Sequence, residues 1–294
     1  MANTSIHCGG DKVLEKGDIV ARRSYNEDLF LKVEDMEVSR GEKIAHLSGL
    51  IYRLSADSGL DDLCLKTQQQ VVHYHLADSQ ETYQKFRKLA FARKFHKPEE
   101  YFEVPPQVLH MDGDEEYLEQ CLSAYRRLGV KAQGLRCPEH RHAEALKKTL
   151  SERHTDILVL TGHDSFKKKQ GNREDMDAYR SSRHFVRAVK AAREIQPHKD
   201  QLIIFAGGCQ SHFEAIIEAG ANFASSPKRM LIHALDPVFI VESIVRTPMD
   251  KIVSLKEMLN HTITGTDGVG GIETLGKLRR GYPWTEYDFS KTPS

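Results

Sequence analysis

The stretch Asp156-Ile157-Leu158-Val159-Leu160-Thr161-Gly162-His163-Asp164 decides the fold. Its apolar run does not alternate with polar residues, which is what a strand buried on both faces of a parallel sheet requires. A second stretch repeats the design: Gln201-Leu202-Ile203-Ile204-Phe205-Ala206 runs into Gly207-Gly208-Cys209-Gln210-Ser211. Each run ends in glycine followed by a reactive side chain. Open α/β sheets bind ligands outside the carboxyl ends of their strands. The pattern therefore predicts that successive strands deliver His163 and Cys209 to one rim, as a cysteine nucleophile and its base.

Outward from these runs, strand and helix patterns alternate. Residues 108–111, 130–135, 157–161, 202–206 and 222–225 read as strands. Helical periodicity falls at 115–128, 139–153, 176–195, 212–219, 240–245 and 255–263, and the glycine-rich segment 265–283 reads as a loop or edge hairpin. Such alternation implies an α/β fold, a parallel sheet with helices on both faces and right-handed crossovers. Upstream, short runs at 18–22, 29–33, 43–47 and 51–54 are separated by turn residues and suggest a small N-terminal β-barrel module. Residues 67–97 are helical in composition, with a basic face and an apolar stripe of Phe86, Leu89, Ala90 and Phe95. That helix fits a solvated connector or, alternatively, a contact with an anionic surface. The organisation predicted is a barrel-like module with a loose tail over 1–65, a helical linker over 66–100, and an α/β catalytic domain over 101–294.

Lys+Arg and Asp+Glu are both 42, so no global field draws the chain to nucleic acid or membrane. No apolar run approaches the roughly 20 residues that span a bilayer, and no signal-peptide pattern opens the chain. Five cysteines without paired spacing argue against a disulfide framework and for a reducing compartment, with Cys64 and Cys121 as small buried hydrophobes.

Cys209 follows a Gly-Gly turn and precedes a predicted helix, where unpaired N–H groups lower a thiol pKa. The N–H groups of Cys209 and Gln210, with Gly208 allowing close approach, could hold a tetrahedral oxyanion. His163 is placed to take the thiol proton; Asp164 forms the turn or steadies the imidazolium, and His212 is a rival base. Asp112, Asp114 and Glu115 form an acidic loop that could hold magnesium or, more simply, cap the next helix. His73-Tyr74-His75, His140-Arg141-His142 and Cys137 offer ligand types without zinc-finger spacing. Gly268-Val269-Gly270-Gly271 lacks the lysine and hydroxyl of a nucleotide-binding loop. No metal or cofactor is expected.

Four strings resemble the YabG family, the sporulation-specific peptidases of endospore-forming bacteria. They are VLHMDGDEEYLEQCLSAYRRLGV (108–130), DILVLTGHD (156–164), LIIFAGGCQSHFEAIIEAGANFASSPKRMLIHALDPVFIV (202–241) and GVGGIETLGKLRRGYP (268–283). The resemblance implies a protease processing spore-coat and related precursor proteins, in the mother-cell cytoplasm or in association with the coat. A looser similarity links the chain to caspases, legumains and gingipains, which carry histidine after the third strand of an α/β sheet and cysteine after the fourth. It implies a cysteine endopeptidase with caspase- or flavodoxin-like strand order. Here Asp164 replaces the glycine that usually follows the histidine, leaving its N–H as the second oxyanion donor. Asp164, Asp177, Glu214 and Asp236 are candidates to bind basic substrate side chains. An amidotransferase-like cysteine enzyme and a non-enzymatic coat-assembly scaffold are the alternatives.

Overall fold

The structure is a computed structural model and describes residues 14–39, 42–93, 101–167 and 172–282. It divides into two compact units: residues up to Ile51 with Ser55–Gln80, and Tyr52–Leu54 with Glu81 onward.

The first unit is an antiparallel sheet of β1 (Ile19–Arg22), β2 (Leu31–Ser39), β3 (Glu42–Gly49), β4 (Ser55–Gly59) and β5 (Leu63–Leu65), in the order β4-β3-β2-β1-β5. Val20, Ala21, Leu31, Val33, Ala45, Leu47, Leu63 and Cys64 are among its buried apolar residues. Cys64 on β5 is disulfide-bonded, a departure from the thiol expected there. The run at 51–54, read as a strand of this module, does not join the sheet. Leu54 N–H turns back to Tyr52 O at 2.7 Å, a kink that breaks the extended ladder. The polar strand β4, Ser-Ala-Asp-Ser-Gly, pairs with β3 instead. Helix α1 (Gln68–Arg93) follows.

The second unit runs β6 (Phe102–Val104), β7 (Val108–Asp112), α2 (Glu115–Arg127), β8 (Ala132–Arg136), α3 (His142–Glu152), β9 (Ile157–Thr161), α4 (Ser182–Ile195), β10 (Ile203–Gly207), α5 (Phe213–Glu218), β11 (Phe223–Ser225), α6 (Asp236–Arg246), α7 (Leu255–His261), α8 (Gly265–Gly268), β12 (Val269–Gly271) and β13 (Arg279–Gly281). Its sheet order is β12-β11-β10-β9-β7-β8, parallel except for β12, which closes one edge antiparallel to β11. The segment at 265–283 thus supplies an edge strand, and β13 pairs separately with β6.

Every residue of β7, β9 and β10 is buried. Val108, Ile157, Val159, Ile203 and Phe205 pack on one face with α2, α6 and α7; Leu109, Met111, Leu158, Leu160 and Ile204 pack on the other with α3, α4 and α5. Each fully buried aliphatic side chain is worth about 1.5–3 kcal/mol of transfer free energy, so both faces hold the three strands rigidly. Helix α2 starts where Asp114 accepts Tyr117 N–H, carries Glu115 and Glu116 in its first turn and Arg126 and Arg127 in its last, and is closed by Gly129 at φ 60°. The helix expected at 176–195 begins only at Ser182, after a 3₁₀ turn at Met176–Ala178. Ser181 N–H and Ser182 Oγ are spent on Asp164, which holds the chain out of helical geometry there. Register places Asp112, Thr161 and Gly207 side by side at the carboxyl rim.

Candidate active site

Beyond Thr161 and Gly207 the two strand-end loops touch. A Cβ on Gly208 would collide with Gly162 O and lie 3.1 Å from Asp164 N, so only glycine lets the loops approach this closely. Gly207 turns the chain at φ 121°. His163 is held from two sides: Nε2 lies 2.9 Å from Asp114 Oδ2, and the main-chain N–H donates to Glu139 Oε1 at 2.8 Å. Its ring centroid stands 5.3 Å from that of Tyr117. Nδ1 is buried and carries no hydrogen bond. The imidazole is therefore oriented through one nitrogen and left open at the other, as an acid–base group needs.

Asp114 does two jobs, since Oδ1 caps α2 while Oδ2 holds His163. Burial raises its pKa, but the bonds from His163 and Tyr117 N–H outweigh that and leave it below the usual carboxylate range. It is the carboxylate that holds His163 Nε2. Only the acidic pattern Asp112-Gly113-Asp114 hinted at it, and that pattern reads equally as a cap or a magnesium loop.

Cys209 is fully buried. Its Sγ receives Ile232 N–H at 3.3 Å and lies 3.6 Å from Ile232 O. Burial drives the thiol pKa upward, against the depression expected from a helix start. The physical reason is position: α5 begins at Phe213 with His212 as its N-cap, so Cys209 lies ahead of the converging N–H groups. That cap also removes His212 as a base facing the thiol, because its Nδ1 accepts Ala215 N–H.

The N–H groups expected at this rim, those of Cys209, Gln210 and Asp164, do not all point to one place. Gln210 N–H is committed to Met230 O and Ser226 Oγ, and Gly208 N–H to Ser211 Oγ. Instead, Cys209 N–H and Asp164 N–H converge on one oxygen, the carbonyl of Arg53, at 3.1 and 3.3 Å. The Asp164 carboxylate faces away, accepting from Ser165 N–H, Ser181 N–H, Ser182 Oγ and Ser211 Oγ, and burial raises its pKa. It braces the loop.

Arg53 had no role in the sequence reading, although a lone arginine inside an apolar run was a signal. Its side chain is fully buried. The guanidinium pairs with Asp112, contacts Cys121 Sγ at 3.4 Å and Ala234 O at 3.1 Å, and its carbon lies 5.0 Å from the Tyr117 ring. Asp112 also accepts Thr161 Oγ1 at 2.8 Å and Asp114 N–H at 2.9 Å. Burial disfavours its charge, yet the Arg53 guanidinium holds its pKa well below the usual range.

The acidic residues suggested for basic substrates are each already engaged. Asp177 is exposed and pairs with Arg183 at 2.5 Å; Glu214 pairs with Arg229. Asp236 is buried and accepts His233 N–H, Ile263 N–H and Thr264 N–H, bracing the loop that carries Ile232. Among the described residues no group of three or more His, Cys, Asp or Glu side chains is arranged to hold a metal ion, and no helix is long and apolar enough to cross a membrane.

Fold and rim define the class: an α/β protein with a mostly parallel sheet, in which the loops carrying His163 and Cys209 meet at the carboxyl ends of the central strands. The profile of the family described as YabG peptidase U57 matches residues 15–283, and the chain belongs to that family of peptidases. It is 44% identical over 282 residues to the sporulation-specific protease YabG of Bacillus subtilis (strain 168), covering 91% of this chain and 97% of that protein. No solved structure matches the chain.

Proposed function

We propose that the protein is a cysteine endopeptidase that processes spore-coat and related precursor proteins during sporulation, in the mother-cell cytoplasm or at the coat. Cys209 is the nucleophile and His163 the acid–base group. Asp114 orients the imidazole, and the N–H groups of Cys209 and Asp164 bind the oxyanion. The observation that carries this reading is the Arg53 carbonyl accepting both N–H groups, one of them from the cysteine itself. Counted from β7, the parallel strands run 2-1-3-4-5, with His163 after the third and Cys209 after the fourth. That order supports the likeness to caspases. The sporulation role rests on the family and on the Bacillus subtilis relative.

In this mechanism His163 Nδ1 takes the thiol proton as Sγ attacks the scissile carbonyl. The imidazolium then protonates the leaving amine, and water releases the acyl group from the thioester. The pocket formed by Asp112, Cys121, Tyr117 and the Ala234 carbonyl fits a guanidinium, so the residue before the cut is arginine. Wild type is expected to cleave arginine-containing peptides on the carboxyl side of arginine. Cys209→Ala and His163→Ala should each lose at least about 10³-fold in kcat/KM. Retention of wild-type rates by both variants, folded by circular dichroism, would move the active site elsewhere.

A further inference from the structure

We propose that the Tyr117 hydroxyl binds the main-chain carbonyl one residue ahead of the arginine at the cut, which makes Tyr117 a substrate-anchoring residue of the Cys209 site. This rests on the peptidase reading and adds a requirement to it. The arginine must carry an acyl group, so a polypeptide is not cut after an arginine at its own amino terminus.

Residues 52–54 mark where a peptide runs along the rim. Arg53 O lies on Cys209 N–H and Asp164 N–H, and the Arg53 side chain fills the guanidinium pocket. One residue back, the Tyr117 hydroxyl donates to Tyr52 O at 3.0 Å. The same oxygen takes Leu54 N–H at 2.7 Å, so both of its lone pairs are used. The Tyr117 ring also stands beside the two other working parts of the site. Its centroid is 5.3 Å from that of His163 and 5.0 Å from the carbon of the guanidinium. Behind it, the residue is fixed in the first turn of α2, where its N–H donates to Asp114 Oδ1 while Asp114 Oδ2 holds His163 Nε2. One carboxylate thus sets the hydroxyl and the imidazole in a common frame.

A ring that only filled space beside Arg53 could do so as phenylalanine. A buried hydroxyl needs an acceptor, and this one finds it on the main chain. Burial holds the phenol pKa well above its usual value, so the group stays a donor at working pH. Every polypeptide offers a carbonyl ahead of an internal arginine, whichever residue carries it. Main-chain anchors of this kind give affinity without reading side chains. An arginine that opens a chain offers no such carbonyl and would leave the hydroxyl unsatisfied. Cys209 has no exposed surface while residues 52–54 occupy the rim, so a substrate takes their place there.

The test uses the full chain as wild type, Tyr117→Phe and Cys209→Ala, each checked by circular dichroism, on two chromogenic amides. One is the para-nitroanilide of acetyl-arginine, whose acetyl carbonyl stands in for Tyr52 O. The other is the para-nitroanilide of δ-guanidinovaleric acid, which is arginine without its α-nitrogen and so without that carbonyl. The ratio of the two kcat/KM values is the readout, because a change common to both amides cancels. Wild type is expected to favour acetyl-arginine by at least about tenfold, and Tyr117→Phe to shrink that preference about tenfold, mainly through KM. A folded Tyr117→Phe that keeps the wild-type ratio, or loses both amides equally, overturns the anchor and leaves the peptidase reading standing. A wild type indifferent to the acetyl group does the same. Cleavage of neither amide by wild type, or cleavage that persists in Cys209→Ala, overturns both.

Discussion

Asp114 shows how one side chain can serve folding and chemistry separably. Asparagine caps a helix about as well as aspartate, so Asp114→Asn keeps the bond to Tyr117 N–H and should cost less than about 1 kcal/mol in stability. It removes the charge that holds His163 Nε2. A hundredfold or greater fall in kcat, with KM and the unfolding midpoint little changed, is the expected outcome of steady-state kinetics and thermal melts. An equal loss in both measurements would reduce Asp114 to a cap. The placement of Cys209 and His163 just past strand ends was legible in sequence because each follows an apolar run and a glycine. Asp114 and Arg53 were not. Their roles depend on which loops are neighbours, and that follows from register, Asp112 opposite Thr161, which a local pattern does not encode.

Among the elements, the buried parallel strands were readable because both faces demand apolar residues. The polar β4 and the delayed start of α4 were not, since they answer to a partner strand and to Asp164. Helix α3 carries a pH dependence of its own. His142 is its first residue, buried, with Nε2 2.7 Å from Cys137 O, and burial pushes its pKa down to about 4. Below roughly pH 6.5 the unfolded chain binds a proton that the native chain refuses until about pH 4. Stability contributed by neutral His142 is therefore intact above that window and falls through it, by about 3 kcal/mol at its lower end. Urea unfolding at pH 7 and pH 4.5 should show a shallower acid loss in His142→Gln than in wild type. An unchanged loss would assign the dependence to other groups.

At the scale of the whole molecule, the guanidinium pocket is also part of the core. Asp112 is fully buried between Arg53 and the ends of β7 and β9. Asp112→Asn leaves Arg53 without its counter-charge. The expected cost is about 3–5 kcal/mol in unfolding free energy, measured by urea denaturation. A cost below 1 kcal/mol would show that the guanidinium has another way out. The Arg53 carbonyl between the two N–H groups carries one more consequence. Because it belongs to the same polypeptide, it competes for those donors at an effective molarity set by the fold. Dilution does not loosen its hold, so an oxygen arriving from another molecule always meets a rival that travels with the site.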